Sequence, residues 1–343
     1  MRFYQEAEKF IRDIFWSDSH DKDSKLDIVG IVHQKLIQDN KDKDPEYYDH
    51  RPGVVHVTSL QKCLRGVVHE MLGAKKDAPM DARKLGVFKA GNLFEDFIVE
   101  ALGDKMLDRQ TEYVYKYKGI ILTGRDDGTI LHEGVRTVLE NKSVHSDSFW
   151  YREKEGTLVA TQNQAQIQTY LWLRRILPRM YKLGDEIIYT NLDISELAAY
   201  KRVQNFDILI STAPDNAQLN GIFCYISKDD CTISQAPVKF NQRIIDEVVI
   251  PALDAVAEAY EKRDVTLAPL PPLVRFEESK NQNQVNWLCK YCEFHNQCAG
   301  AGWLLEAQNE VTRLNKEANT KMVNRFSEKK DAPVIGVEPV LGS

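Results

Sequence analysis

The stretch GRDDGTILHEGVRTVLENK, residues 124–142, constrains the fold of this chain more than any other. Glu133-Gly134 reads as a two-residue turn between two strand-like arms, and such a turn fixes the register of its hairpin. His132 then faces Val135, and counting along both arms sets Asp127 across from Glu140. Facing residues on antiparallel strands have Cβ atoms about 4.5–5.5 Å apart, close enough for two carboxylates to repel. A divalent cation offsets that repulsion, and hard oxygen donors suit Mg2+ or Mn2+. Lys142 stands two residues past Glu140 and points to the same face of its strand. Phosphodiester hydrolysis calls for such a set: a metal to acidify water, and positive charge where the transition state turns negative. The alternative is a solvated hairpin of alternating charge.

The segments around the hairpin read as an α/β (α+β) chain. Residues 1–50 hold two short helices joined by the charged loop SDSHDKDSK. A helix beginning near Thr58 or Ser59 runs through LQKCLRGVVHEML, and another, NLFEDFIVEAL, follows Gly91. Leu93, Phe94, Phe97, Ile98 and Leu102 form one apolar face of the latter. TEYVYKY and GIILTG are strands joined at Lys118-Gly119. Thr161 and Gln164 form a capping box for a helix over 162–176. EIIYTNL, GIFCYIS and CTISQAPV are strand-like. FNQRIIDEVVIPALDAVAEAYEKR is a long helix that Pro251 kinks. LAPLPPLV reads as a connector, and the polar chain beyond about 306 as a loose tail. Alternation of helices and strands points to a mixed sheet between helices.

No apolar run approaches a membrane span, and the N-terminal MRFYQEAEKFIRDIFW is amphipathic without signal-peptide features. The expectation is an intracellular, cytoplasmic protein with no membrane partner. The net charge of −6 and the pI of about 5.8 neither support nor exclude DNA. Nucleic-acid binders are often basic, but a metal site needs acids and a basic groove can be local. The cysteines are Cys63, Cys224, Cys231, Cys289, Cys292 and Cys298. In a reducing compartment, clustered cysteines indicate metal ligation rather than disulfides. Cys224 and Cys231 lie in apolar, strand-like surroundings and read as buried free thiols.

Asp127 followed by Glu140-Asn141-Lys142 resembles the core motif of PD-(D/E)XK nucleases. Gly124-Arg125-Asp126-Asp127 is similar to the G-x-x-D of the RecB-type branch, and Gln166 with Tyr170 to its Q-x-x-x-Y helix. Their spacing sets both on one helix face; in the family that face closes the active site and contacts DNA. Gly91-Asn92-Leu93-Phe94-Glu95 resembles the helix that usually carries histidine in this branch, with Glu95 in its place. Cys63 together with Cys289-x2-Cys292-x5-Cys298 is similar to the CRISPR-associated single-domain RecB-like exonucleases and to the AddB nuclease subunit. There, four cysteines hold a [4Fe-4S] cluster, as thiolates do. His295 leaves a zinc alternative, a Cys-x2-Cys-x2-His-x2-Cys run that does without Cys63.

The resemblance implies a restriction-endonuclease-like core over 55–284 and an iron–sulfur module over 285–305; it does not explain the N-terminal helical extension over 1–54 or the polar, loose tail over 306–343. It implies metal ligands Glu95, Asp127, Glu140 and Asn141, with Asp127, Glu140, Lys142, Gln166 and Tyr170 in catalysis. Arg65, Gln166 and Tyr170 are its candidates for contact with DNA. The implied activity is exonuclease action with Mg2+ or Mn2+ on DNA ends or single strands. Its partners are DNA and proteins of recombination, repair or CRISPR adaptation. A non-catalytic DNA-binding scaffold with the same fold is the second hypothesis, and a zinc-stapled protein of unrelated function the third.

Overall fold

The computed structural model describes residues 28–41, 52–77, 82–132, 134–154, 161–203, 211–212, 219–271, 273–277, 282–290, 292–299 and 302–330. The chain divides into two compact units, one of residues 1–44 and 80–90, the other of 45–79 and 91–343. The division falls inside one helix, between Ala90 and Gly91.

In the first unit, helix α1 (Ile28–Lys41) is the complete described element. The expected earlier helix and its charged loop lie outside the described residues. Lys35 and Asp39 pair one turn apart on α1, both exposed. Such pairs support a helix by about 0.2–0.5 kcal/mol.

The second unit is a mixed α/β assembly of two larger sheets and a hairpin, flanked by helices. In chain order it holds β1 (Val54–His56), α2 (Leu64–Met71) and the C-terminal part of α3 (Ala82–Leu102). Then come β2 (Met106–Arg109), β3 (Glu112–Tyr117), β4 (Ile120–Arg125), β5 (Gly128–His132) and β6 (Val135–Val144). Helices α4 (Ser146–Lys154) and α5 (Thr161–Ile176) lead to β7 (Arg179–Leu183), β8 (Glu186–Thr190), α6 (Ile194–Lys201) and β9 (Ser211–Thr212). β10 (Asn220–Ser227) and β11 (Ile233–Val238) precede α7 (Gln242–Ile244) and α8 (Ile250–Glu261), joined by a π turn over Ile245–Val249. The chain continues with β12 (Val274–Glu277), β13 (Gln282–Val285), α9 (Trp287–Lys290), α10 (His295–Ala299) and α11 (Trp303–Lys330).

One sheet runs β1-β4-β3-β8-β7-β9 and the other β11-β10-β6-β5-β2, each with parallel and antiparallel neighbours. α5 packs between them and its buried face joins two clusters. Leu171 and Leu173 share one buried cluster with Leu122, Leu253 and Val256, and Ile167 shares another with Phe149, Phe223 and Tyr225. Full burial of each such side chain contributes about 1.5–3 kcal/mol.

The hairpin register is the one the turn dictates: His132 pairs with Val135 and Gly128 with Leu139. Glu133 itself lies outside the described residues. The β3–β4 turn has Lys118 at φ 42° and Gly119 at φ 81°, the paired positive values that match strand twist in two-residue turns.

Elsewhere the structure differs from the sequence reading. The helix expected from Thr58 onward is broken: residues 57–61 make a 3-10 turn, and Cys63 precedes α2 in extended conformation. The helix after Gly91 begins a turn and more earlier, at Ala82. Its apolar stripe is not a core face, since Leu93 is 61% and Phe97 53% exposed while Ile98 is buried. Thr161 opens α5, and the residues before it lie outside the described ones. Ahead of Pro251, which lacks an N–H, the helix widens into the π turn. Residues 303–330 form one helix where a loose tail is expected, and residues beyond 330 lie outside the described ones. Cys231 is exposed and Cys224 half-buried, so neither is the enclosed thiol expected.

α6 has a capping box the sequence reading misses. Asp193 accepts from Glu196 N at 2.9 Å and Glu196 Oε2 accepts from Asp193 N at 3.1 Å. Asp193→Ala is expected to lower the denaturation midpoint through loss of the cap; an unchanged midpoint would show that the cap contributes nothing.

Candidate active site

β4 of the first sheet ends at Arg125 and β5 of the second starts at Gly128, so Asp126-Asp127 is the corner at which the chain crosses between the sheets. The two carboxylates leave the corner in different directions. Asp126 is fully buried; its Oδ1 accepts from Thr111 N at 3.1 Å and its Oδ2 from the Tyr113 hydroxyl. Burial pushes its carboxyl up to about 7, against the pull of the Arg174 guanidinium. Asp127 Oδ2 instead accepts from Asn141 N at 2.5 Å, which ties it to β6 just past the last ladder pair. Gly128 has φ 149°, and a Cβ there would stand 2.6 Å from the Asp108 carbonyl oxygen. The corner can be this tight because residue 128 has no side chain.

Glu140, 2% exposed, lies beside Asp127 on β6. Its Oε1 accepts from Lys142 Nζ at 2.5 Å and from Gln166 Nε2 at 2.7 Å. Its Oε2 is buried and accepts no hydrogen bond among the described residues. Leaving such an acceptor unmet costs about 1–3 kcal/mol. Burial, then the charges of Glu140 and Glu95, hold the Asp127 carboxyl well above the usual range. Burial and Glu95 likewise raise Glu140, although Lys142 and Gln166 pull it down. Burial alone would lower Lys142; Glu140 and Asp127 outweigh it and hold the ammonium above its ordinary value. Glu95 stands on α3 close enough to act on both acids, with its Oε1 accepting from Gln110 Nε2 at 2.9 Å. Three acids thus share one region with one lysine, and a buried carboxylate oxygen there faces no donor. Among the described residues no three His, Cys, Asp or Glu side chains are arranged to hold a metal ion outright. The orphaned Oε2 and the raised acids fit a cation at this spot, because added positive charge removes both penalties.

Four expected roles meet a different geometry. Strand alternation turns the Asn141 side chain away from Glu140 and Lys142, and both of its amide atoms are buried without partners. It is the Asn141 backbone that serves the site, through Asp127. Gln166 and Tyr170 are 5% and 1% exposed, so they lie beneath Glu140 and offer no surface to a DNA strand. Gln166 Nε2 reaches the Tyr170 hydroxyl at 3.4 Å, and the Tyr170 ring stacks on Tyr113 at 5.4 Å. Gly124 makes room for that ring, since a Cβ there would be 2.9 Å from Tyr170 Cε1. Arg65 is spent on structure: its Nε and Nη2 donate to the carbonyls of Ala268 and Thr266 at 3.1–3.2 Å. The sequence reading misses Asp126, Gln110 and Arg174. For Arg174 a signal existed, as it falls one helical turn past Tyr170 on the Gln166 face.

The four cysteines 63, 289, 292 and 298 line one small pocket with His295, walled by Leu270, Leu273 and Trp303. Gly66 on α2 lets the Cys292 sulfur approach; a Cβ there would be 3.3 Å from it. Asp77 N donates to Glu293 O at 2.7 Å, Lys76 pairs with Glu293 at 2.8 Å, and His69 stacks on Phe294. The early chain is thereby fastened around the cysteine loop. Burial, then the neighbouring thiolates of Cys63 and Cys292, push Cys289 up to about 11. Cys298 rises to about 11 from the same causes, and burial raises Cys292.

No protein-family model and no curated protein matches this chain. Among solved structures, SSO0001 superposes over 78% of this chain and 93% of its own, with 18% identity and TM-score 0.40. An alkaline exonuclease from Laribacter hongkongensis covers 64% of this chain and 94% of its own, with 11% identity and TM-score 0.36. A phage-related exonuclease from Haemophilus somnus covers 64% and 98%, with 13% identity and TM-score 0.32. Among the described residues no helix is long and apolar enough to cross a membrane.

Proposed function

We propose that this chain is a divalent-metal-dependent deoxyribonuclease with a PD-(D/E)XK core, acting as an exonuclease on DNA ends or single strands. The observation that carries the reading is the convergence of Asp127, Glu140 and Lys142, with Glu140 Oε2 buried and unmatched. Asp127, Glu140 and Glu95 are the residues to hold Mg2+ or Mn2+. Bound there, the ion supplies an acidified water and positive charge beside the scissile phosphate. Lys142 supplies a second positive charge, and Glu140 and Asp127 fix where its ammonium stands. Hydrolysis forms a bond from water oxygen to phosphorus and breaks one phosphate ester bond. Lys142 stabilises the negative charge that grows on the phosphoryl oxygens between those events. Gln166 holds Glu140 in place from below.

The cysteine pocket is the proposed seat of a [4Fe-4S] cluster held by Cys63, Cys289, Cys292 and Cys298, a staple between early and late chain. His295 on the same pocket wall favours a second reading, a zinc staple of cysteines and histidine. The setting proposed is recombination, repair or CRISPR spacer acquisition, with DNA and the proteins of those processes as partners. End-labelled single- and double-stranded DNA with Mg2+ or Mn2+ tests the nuclease reading. Stepwise shortening that EDTA stops is expected; intact DNA under every metal condition would overturn it.

A further inference from the structure

Buried arginines are rare because a guanidinium out of water must have its donors met. Arg174 is fully buried on α5, one turn past Tyr170, directly behind the Asp126-Asp127 corner. Its Nη1 donates to Thr129 Oγ1 at 2.5 Å, its Nη2 to Thr111 Oγ1 at 2.9 Å, and Nη2 lies 3.8 Å from Asp126 Oδ2. Its guanidinium also rests on the Tyr189 ring, 5.1 Å from the centroid. Thr111 immediately precedes β3 in the first sheet, and Thr129 belongs to β5 in the second. Thr111 is also bonded twice to Asp126, by Asp126 N to Thr111 O at 3.1 Å and by Thr111 N to Asp126 Oδ1 at 3.1 Å. One planar fork therefore grips both sheets on either side of the link that carries Asp127. A fork with fixed geometry suits this, and a lysine, a point charge on a flexible stem, does not.

We propose that Arg174 is a positioning residue: by clamping Thr111, Thr129 and Asp126 it sets the corner so that Asp127 meets Glu140 at the distance one cation needs. The proposal rests on the nuclease reading above and adds a residue to it. Arg174 touches neither metal nor substrate; it acts through the backbone on either side of Asp127. Outer partners of a metal ligand govern affinity for the metal, and their loss typically costs 10–100-fold.

The experiment is Mn2+ titration of the purified full chain, following free Mn2+ by electron paramagnetic resonance, with Asp127→Asn as the blank. Wild type is expected to bind one Mn2+ that the blank does not. Arg174→Met is expected to weaken that site about tenfold or more, and Arg174→Lys by less. DNA cleavage by Arg174→Met is expected to need more Mn2+ for half-maximal rate while keeping most of its rate at saturating Mn2+. Thermal melting accompanies each titration, since a merely structural role lowers the midpoint and leaves the affinity of the folded fraction unchanged. Should Arg174→Met not fold, Thr129→Val removes one prong with little change of shape and is expected to weaken Mn2+ in the same direction. Wild-type Mn2+ affinity in a folded Arg174→Met or Thr129→Val protein overturns the proposal. Absence of an Asp127-dependent Mn2+ site in the wild type overturns the nuclease reading itself.

Discussion

Lys142→Ala is expected to lower the rate of DNA cleavage by roughly 10²–10³-fold, the cost of losing one preorganised charge at the reacting phosphate. The Michaelis constant for DNA is expected to stay near wild type, while the melting midpoint falls because Glu140 loses its buried ion-pair partner. An interaction made mainly in the transition state lowers turnover and leaves binding alone. Two effects of the substitution need separating. Lys142 also bonds Glu140, whose carboxyl burial already raises. Without the lysine that carboxyl rises further, and a protonated Glu140 holds metal poorly. If loss of metal were the whole effect, a higher pH or more Mn2+ would restore the rate. If the ammonium acts on the phosphate, neither restores it, and Lys142→Arg recovers part of the rate. Near-normal turnover of folded Lys142→Ala at ordinary Mg2+ would remove Lys142 from the mechanism.

The parts of the fold legible in the sequence are those that local rules decide. The β5–β6 register follows from a two-residue turn and a period of two, and needs no knowledge of the rest of the chain. That register is enough to bring Asp127, Glu140 and Lys142 to one face of the hairpin. Where tertiary packing decides, the sequence misleads. Leu93 and Phe97 sit at helical spacing yet stand exposed on α3. The polar chain beyond about 306 reads as a loose tail, but Trp303 and Ala307 are buried with Val274 and Val285 packed against them, and Asn283 N donates to Asn315 Oδ1 at 2.7 Å, so the helix is held by the β12–β13 hairpin. Arg174 reads as helix surface because arginine is so seldom enclosed; only two threonines and an aspartate from distant positions show why it is inside. Gln166 and Tyr170 were legible as a pair on one face, but not that this face is buried. Burial converts them from candidate DNA contacts into supports of Glu140, Gln166 directly and Tyr170 through Gln166.

Protein purified without oxygen is expected to be brown and to contain iron and acid-labile sulfide, and Cys63→Ser is expected to abolish both. Cys63 ends an extended segment at the start of α2, whereas Cys289, Cys292 and Cys298 come near the end of the chain. A bond between them closes a loop spanning most of the protein. Loop-closure entropy grows only as the logarithm of length, so the long span adds a few tenths to about 2 kcal/mol over a short loop. Binding free energy at such a site is folding free energy. Loss of the cluster is therefore expected to lower the melting midpoint by on the order of 10 °C, from a few kcal/mol in a domain of this size. The raised thiols set the direction for proton release. Burial and the neighbouring cysteines raise Cys289 and Cys298 to about 11, and thiolate ligation displaces their protons, so metal loading is expected to strengthen as pH rises. Cys224→Ser and Cys231→Ser are the controls, since neither residue lines the pocket, and iron content is expected to be unchanged in both. One zinc per chain, with His295→Ala as damaging as Cys298→Ser and Cys63→Ser harmless, would establish the zinc staple instead. The nuclease reading is independent of that outcome, because Glu140 and Lys142 stand on β6 and Asp127 on the corner before β5, away from the pocket lining.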